Sequence, residues 1–432
     1  MRLRLIEKDL LNEEFENFHR IKGWINQSLN QIMKIVEEPH VSSIREGLDS
    51  ASKIMIIFSI FSILLYFPLN PSDNFVTYFE IQRIMPLLYF IGFGVFNVWV
   101  GIETAYSLAK KKMVNPLLPS IMVLIIFLLT TIDKRWLDVP NILYFGGVGL
   151  ITSIIVAILC VEVYAFCVTV ELGQEPSNES ITSSSHILAL IALVLVISCF
   201  WIYENVFIFD PIRSLVPLLQ PLEFIFNTLP IVLLSEFIHI FFWFFGIHGD
   251  MITDTFLRYI WFLLFSENFA AKTSGLPLPN IYCGNFRSYI TAGGSGCTLM
   301  LAVYCASLAK SKRLRKVGKT ALKPGIFNIN EFMLFGVPIA NNPIMFIPFI
   351  LVTLIAAGGT QQLMEMRLIS RSWTILPWNT PVPLLVFLGD GYNLMNVVWS
   401  LTTMFIIPGI LYYPFFKRWD QKELNREEKE HN

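Results

Sequence analysis

Apolar residues along this chain arrive in long blocks, and a block of about 20 is the length that crosses a hydrocarbon core as a helix. The clearest blocks are Ile54 to Leu69, Ile84 to Ala109, Leu118 to Ile132, Ile142 to Val170, Ile187 to Phe209, Glu223 to Phe245, Ile344 to Ala357 and Leu394 to Phe416. Two shorter ones, Met251 to Phe265 and Cys297 to Ala309, span only with help from neighbours. The first fifty residues differ: Leu10, Leu11, Phe15, Phe18, Ile21, Ile25, Leu29, Ile32, Met33 and Val36 recur at helical spacing among Glu13, Glu14, Arg20 and Lys22. That is the pattern of a helix lying along a membrane surface, with a soluble partner-binding hairpin as the alternative. No apolar core follows a basic start, so a cleaved signal peptide is not expected.

Composition agrees with a bilayer setting. Of 432 residues, 54% are hydrophobic and 15% charged, and the net charge is −1. Lys310 to Lys323 carries seven positive residues and no acid, and Lys110 to Lys112 forms a second basic cluster. Both are expected inside, because basic loops stay in the cytoplasm. Asp133 to Asp138 is charge-balanced and fits the outer side. Placing both termini in the cytoplasm requires an even number of crossings, which about ten satisfies. The expected fold is therefore an all-α polytopic membrane protein with about ten transmembrane helices and an N-terminal amphipathic helix.

Several chemistries lack support. Cys160, Cys167, Cys199, Cys297 and Cys305 lie in apolar blocks, Cys283 lies near a loop, and none has zinc-ligand or redox spacing. There is no phosphate-binding fingerprint, and neither a cofactor, a metal nor a nucleic-acid partner is expected.

Polar residues that interrupt the apolar blocks are the remaining signal, because ionisable groups at membrane depth face a cavity or a partner. In "FFWFFGIHGDMI", His248 and Asp250 stand among glycines in a run already made less lipid-like by Glu236 and His239. The bland alternative is an ordinary cytoplasmic turn with a solvated imidazole. "TAGGSGCTLML", Thr291 to Leu301, is either a weak anion or hydroxyl site at a helix start or a close helix-packing element. In Ile329 to Phe349, Pro338 and Pro343 rule out one regular helix. The Asn341-Asn342 pair suggests a chain that enters, turns at part depth and returns, as in transporter binding sites. Glu331 opens this element, either as a ligand group or as an interfacial helix-start charge. A histidine, a carboxylate, several amides and many aromatic rings suit a neutral polyhydroxylated ligand such as a sugar. Which ring stacks on it is open, since Trp243, Tyr282, Trp373 and Trp378 equally suit interfacial anchoring, the role expected of most of them.

These residues, in order, resemble a known family. "GIHG" at 246–249, "GGSGCTL" at 293–299, "NEFMLFGVPIANNPIMFIPF" at 330–349, "PWNTP" at 377–381 and "YYPFFKRWD" at 412–420 look like the enzyme IIC (EIIC) permease of the lactose/cellobiose/diacetylchitobiose branch of the phosphoenolpyruvate-dependent sugar phosphotransferase system (PTS). "IREGLDSASKIMIIFSIFSILLYFP" is similar to that family's entry into its first span.

The resemblance implies a bacterial plasma-membrane homodimer whose protomers carry two re-entrant hairpins. It implies a surface segment at 1–49, a dimer-interface half at 50–215, a substrate-binding transport half at 216–416 and a polar tail at 417–432. His248 and Glu331 would be the central ligands of a β-linked disaccharide, with Asn330, Asn342, Gly294 and Ser295 nearby. Phosphorylation would come from a phosphocysteine on a separate EIIB protein. Two positions depart from the family pattern: Phe332 replaces an expected proline, and Asp250 an expected small or neutral residue. A proton-coupled secondary sugar transporter relaying protons through His248, Asp250 and Glu331 is the alternative, and a sugar sensor a third reading.

Overall fold

The computed structural model describes residues 31, 33–66, 75–131, 147–172, scattered positions between 191 and 221, and 224–431. The expected surface helix before residue 31, the Asp133 to Asp138 loop and most of the Ile187 to Phe209 block lie outside the described residues. The described residues are helical or irregular, with no strand among them.

Four long helices form the first part: α1 (Pro39–Tyr66), α2 (Phe75–Lys111), α3 (Leu117–Thr131) and α4 (Gly147–Leu172). They pack on one another, α2 against the other three. The core between α2, α3 and α4 includes small residues, among them Ala105, Ala109, Ala157 and Cys160. A Cβ on Gly101 would meet Ser153 Oγ at 2.2 Å, so hydrogen in place of a methyl is what lets α2 and α4 approach. Close backbone approach is the main source of packing between helices in lipid, where burying apolar surface gains little. At one end of this group Lys111 pairs with Glu46 at 2.9 Å and Lys112 with Glu162 at 2.7 Å. His40 bridges Glu38 and Glu162, both at 2.6 Å. The hydrogen bond to Glu38, reinforced by that to Glu162, raises the His40 pKa above its ordinary value.

The second part has shorter and interrupted helices. α5 (Leu229–Phe244) and α6 (Gly249–Thr273) meet at the GIHG turn. There follow α7 (Phe286–Ile290), α8 (Leu299–Leu308), α9 (Lys312–Ile326), α10 (Glu331–Gly336), α11 (Pro343–Glu365), α12 (Val382–Gly389) and α13 (Leu394–Leu401). One π-helical turn, Thr402–Ile406, joins α13 to α14 (Ile407–His431). α11 lies against α5 and α14, and α8 against α9 and α14. α6 joins the two parts, packing on α1, α2 and α4 through Ile260, Phe262, Leu264 and Phe265.

The broken elements fall where glycines and prolines predicted them. α5 ends and α6 begins around Gly246 and Gly249, and residues 337–342 separate α10 from α11. The Lys310 to Lys323 segment, expected as a loop, is instead the helix α9. Leu314, Gly318, Ala321 and Gly325 recur at helical spacing and are buried, while Lys312, Arg313, Arg315, Lys316, Lys319 and Lys323 stay exposed. A count of basic residues hid this apolar stripe. The polar tail is likewise helical, continuing α14 to His431, with Asp420 accepting the backbone N–H groups of Lys310 and Ser311. Three described helical stretches are long and apolar enough to cross a membrane: Gly149–Thr169, Pro343–Glu365 and Leu394–Glu430.

Candidate functional site

Two irregular segments lie inside the second part, and side chains from distant elements hydrogen-bond several of their backbone groups. In the glycine-rich segment, Gly294 has φ +94°, and a Cβ there would fall 2.2 Å from Asn330 Cγ. This close approach lets Asn330 Nδ2 donate to Ser295 O at 2.7 Å and to Thr298 Oγ1 at 2.9 Å. Asn328 Oδ1 accepts Gly293 N–H at 3.0 Å, and Tyr412 O–H donates to Gly296 O at 2.7 Å. In the second segment, Trp419 Nε1 donates to Val337 O at 2.6 Å, and Asn342 Nδ2 to Pro338 O at 3.0 Å. Asn342 Oδ1 takes the N–H of Ile344, capping α11. Non-helical backbone at depth persists only where it is satisfied inside protein or lines a water-filled space.

The same two segments hold most of the expected ligands. Gly294, Ser295 and Asn330 converge, with Glu331 one residue on at the start of α10. Glu331 is exposed and makes no hydrogen bond or ion pair among the described residues. Asn342 commits both ends of its amide to the turn. The α5–α6 turn is tied to this region by Asn341 N–H, which donates to Phe244 O at 2.8 Å. Gly246, with φ +79°, passes beside Asn341 Nδ2. His248 is not in contact with Glu331. Its ring lies against the Trp243 indole, with centroids 4.4 Å apart, and more than half of the side chain is exposed.

Behind His248 is an ionic cluster built on the buried Glu236 and His239. Arg287 on α7 donates through Nε to Glu236 Oε1 at 3.0 Å, and its Nη1 lies 3.2 Å from Asp250 Oδ1 and 3.7 Å from Asp254. The His239 ring faces Glu236 at 3.4 Å through Nδ1 and Asp250 at 3.2 Å through Nε2. Tyr282 O–H donates to Glu236 at 2.7 Å, and the Arg287 guanidinium stacks over Trp261, 4.8 Å from its centroid. A buried charge persists where partners and hydrogen bonds surround it, and here three elements supply them.

Arg287 and Asp254 were not picked out from the sequence. The available signal was a lone arginine just ahead of the glycine run, and a carboxylate one helical turn beyond Asp250. The anchoring role expected of most of the four rings needs correcting. Trp243, Tyr282 and Trp373 are interior, and Trp378 alone of the four is exposed. A buried N–H or O–H needs an acceptor, which Trp243 finds in His239 Nε2 at 3.1 Å and Asp250 Oδ2 at 3.2 Å, and Tyr282 in Glu236. Hydropathy alone does not reveal such partners.

Long apolar helices beside helices that break at turns hydrogen-bonded inside the protein define a polytopic membrane protein of the permease class. Comparison with known proteins identifies the family. The chain belongs to the EIIC permease family of the phosphotransferase system, whose family model, "Phosphotransferase system, EIIC", matches residues 51–353. It is 30% identical over 424 residues to the PTS system cellobiose-specific EIIC component of Geobacillus stearothermophilus, covering 91% of this chain and 93% of that one. It is 29% identical over 418 residues to the lichenan permease IIC component of Bacillus subtilis (strain 168), covering 91% and 92%. Among solved structures, the crystal structure of the transporter ChbC, the IIC component of the N,N'-diacetylchitobiose-specific phosphotransferase system, is similar with a TM-score of 0.81 and 28% identity, over 93% of this chain and 98% of that one.

Proposed function

We propose that this EIIC permease imports a β-linked disaccharide of the cellobiose, lactose or chitobiose kind and presents it to a phosphorylated EIIB partner. Glu331 is the central ligand of the sugar. The observation that carries this reading is the Asn330 clasp: it ties α10 to the glycine-rich segment and leaves the adjacent carboxylate unpaired at the junction of two broken elements. An ionised carboxylate accepts two hydroxyl hydrogens, and such charge-assisted bonds are strong. His248 supplies a second polar contact, with the Trp243 indole behind it. Gly294 and Ser295 bring backbone close to the ligand, while Asn342 holds the shape of the second turn.

The resemblance extends this reading to the assembly. The protomer has about ten spans and two re-entrant hairpins, the latter at the glycine-rich segment and at residues 337–342. Both termini face the cytoplasm, residues 50–215 hold the homodimer together, and residues 216–416 carry the sugar. The exposed basic face of α9 is the landing surface for an acidic, phosphate-bearing partner.

The test is sugar binding and uptake with Glu331→Gln. Binding should weaken by roughly 1.5–3 kcal/mol, the worth of a hydrogen bond to a charged group. Wild-type affinity in this variant would remove Glu331 from the site. Uptake into vesicles should require EIIB and the phosphoenolpyruvate chain. Uptake driven by a pH gradient without a phosphoryl donor would favour proton coupling instead.

A further inference from the structure

Asp250 departs from the pattern of the chain's resemblance, yet it occupies a specific place in the ionic cluster. Its Oδ1 faces Arg287 Nη1 and His239 Nε2, each at 3.2 Å. Its Oδ2 accepts from Trp243 Nε1 at 3.2 Å and lies 3.9 Å from His248 Nδ1. A carboxylate oxygen accepts two hydrogen bonds, so Oδ2 retains room for one more, and His248 is the donor beside it.

The backbone makes this meeting specific. Gly246 turns the chain at φ +79°, and Gly249 packs so tightly that a Cβ would lie 2.2 Å from His239 O and 2.6 Å from the Trp243 ring. His248 is the N-cap of α6, so Asp250 follows within the first helical turn. Trp243 forms one wall of the imidazole and hydrogen-bonds the same carboxylate oxygen. The charged groups around this corner are Glu236 and His239 from α5, Asp250 and Asp254 from α6, and Arg287 from α7.

We infer that Asp250 is a positioning residue: its carboxylate holds the His248 imidazole with hydrogen on Nδ1, leaving Nε2 on the open side as a hydrogen-bond acceptor for a sugar hydroxyl. The sugar part of this inference rests on the reading of His248 as a ligand. A carboxylate only accepts, so it selects the ring form whose hydrogen points at it, and the partner of one nitrogen decides which is protonated. The present 3.9 Å separation is an ion-pair distance, and contacts of this kind tighten when a ligand closes the site. Arg287 and Trp243 hold the carboxylate, so its orientation does not depend on His248.

Two measurements on the full-length protein in lipid decide it. Nitrogen-15 NMR of histidine-labelled protein at about pH 8.5, where an ordinary imidazole is neutral, gives the His248 tautomer after subtraction of the His248→Gln spectrum. Wild type should show hydrogen on Nδ1, Asp250→Glu should keep it, and Asp250→Asn should move it to Nε2, as in free imidazole. Hydrogen on Nε2 in the wild type overturns the proposal, whatever the variants do.

The second measurement is cellobiose binding. Asp250→Asn should weaken it about tenfold, within the range for a hydrogen bond to a charged group, and Asp250→Glu should restore most of the loss. In the His248→Gln background, Asp250→Asn should cost nothing further. Equal losses in both backgrounds would make Asp250 a structural residue and overturn the proposal. Wild-type binding by His248→Gln alone would instead remove His248 from the sugar site, and the tautomer spectrum would still decide what Asp250 does.

Discussion

The two halves of this permease meet the same membrane constraint in opposite ways. In α1 to α4 the helices are continuous, small residues share the core with Val, Leu and Ile, and His40, Lys111 and Lys112 form ion pairs at one end. In α5 to α14 the helices are broken, and charges sit in the interior around Arg287. Continuous helices satisfy their own backbone and can slide or dock as smooth rods, while broken ones need outside partners for every freed N–H and C=O. Asn328, Asn330, Asn342, Tyr412 and Trp419 of the second half supply partners of this kind. Polar surface is thereby placed where a hydrophilic solute can be held.

This contrast can be broken most directly at Arg287. Arg287→Met should destabilise the protein by about 3–5 kcal/mol, because it leaves the buried Glu236 and the partly buried Asp250 without their cation. Thermal unfolding in detergent measures it, and a melting temperature equal to wild type would mean the cluster is not ionic. A restoring variant, Arg287→Met with Glu236→Gln, should recover part of the loss.

Glycines sharpen the comparison. Gly294→Ala should cost about 3 kcal/mol, since the new Cβ adds backbone strain at φ +94° to a clash with Asn330. Gly101→Ala in the first half should cost about 1–2 kcal/mol, from overpacking against Ser153 and Val123 without added backbone strain. The same unfolding assay ranks them, and a larger loss at Gly101 would reverse the assignment of strain to the second half.

The smallest effect concerns pH. The folded-state pKa of His40 is raised above 6.5, first by Glu38. Its contribution is fully present below the unfolded value and is lost as pH rises through the folded one. Protection of the amides of residues 33–46, taken as exchange corrected for its intrinsic base catalysis, should therefore fall as pH rises above about 6.5, and His40→Gln should remove that fall. A pH profile unchanged by the substitution would discharge His40 from holding α1 to α4.

The blocks of apolar residues, read alone, determined that this chain is a helical membrane protein, and they placed most of the described helices. The order of GIHG, GGSGCTL and the Asn330 to Phe349 run determined the family as well, because turns buried in protein depend on glycine, proline and asparagine at fixed places. Tertiary structure decided that Asn330 clasps Ser295, that Arg287 gathers Glu236 and Asp250, and that a basic run is a helix docked on α8. Each of these joins residues from separate elements, and hydropathy along a chain holds no information on which buried donor meets which distant acceptor.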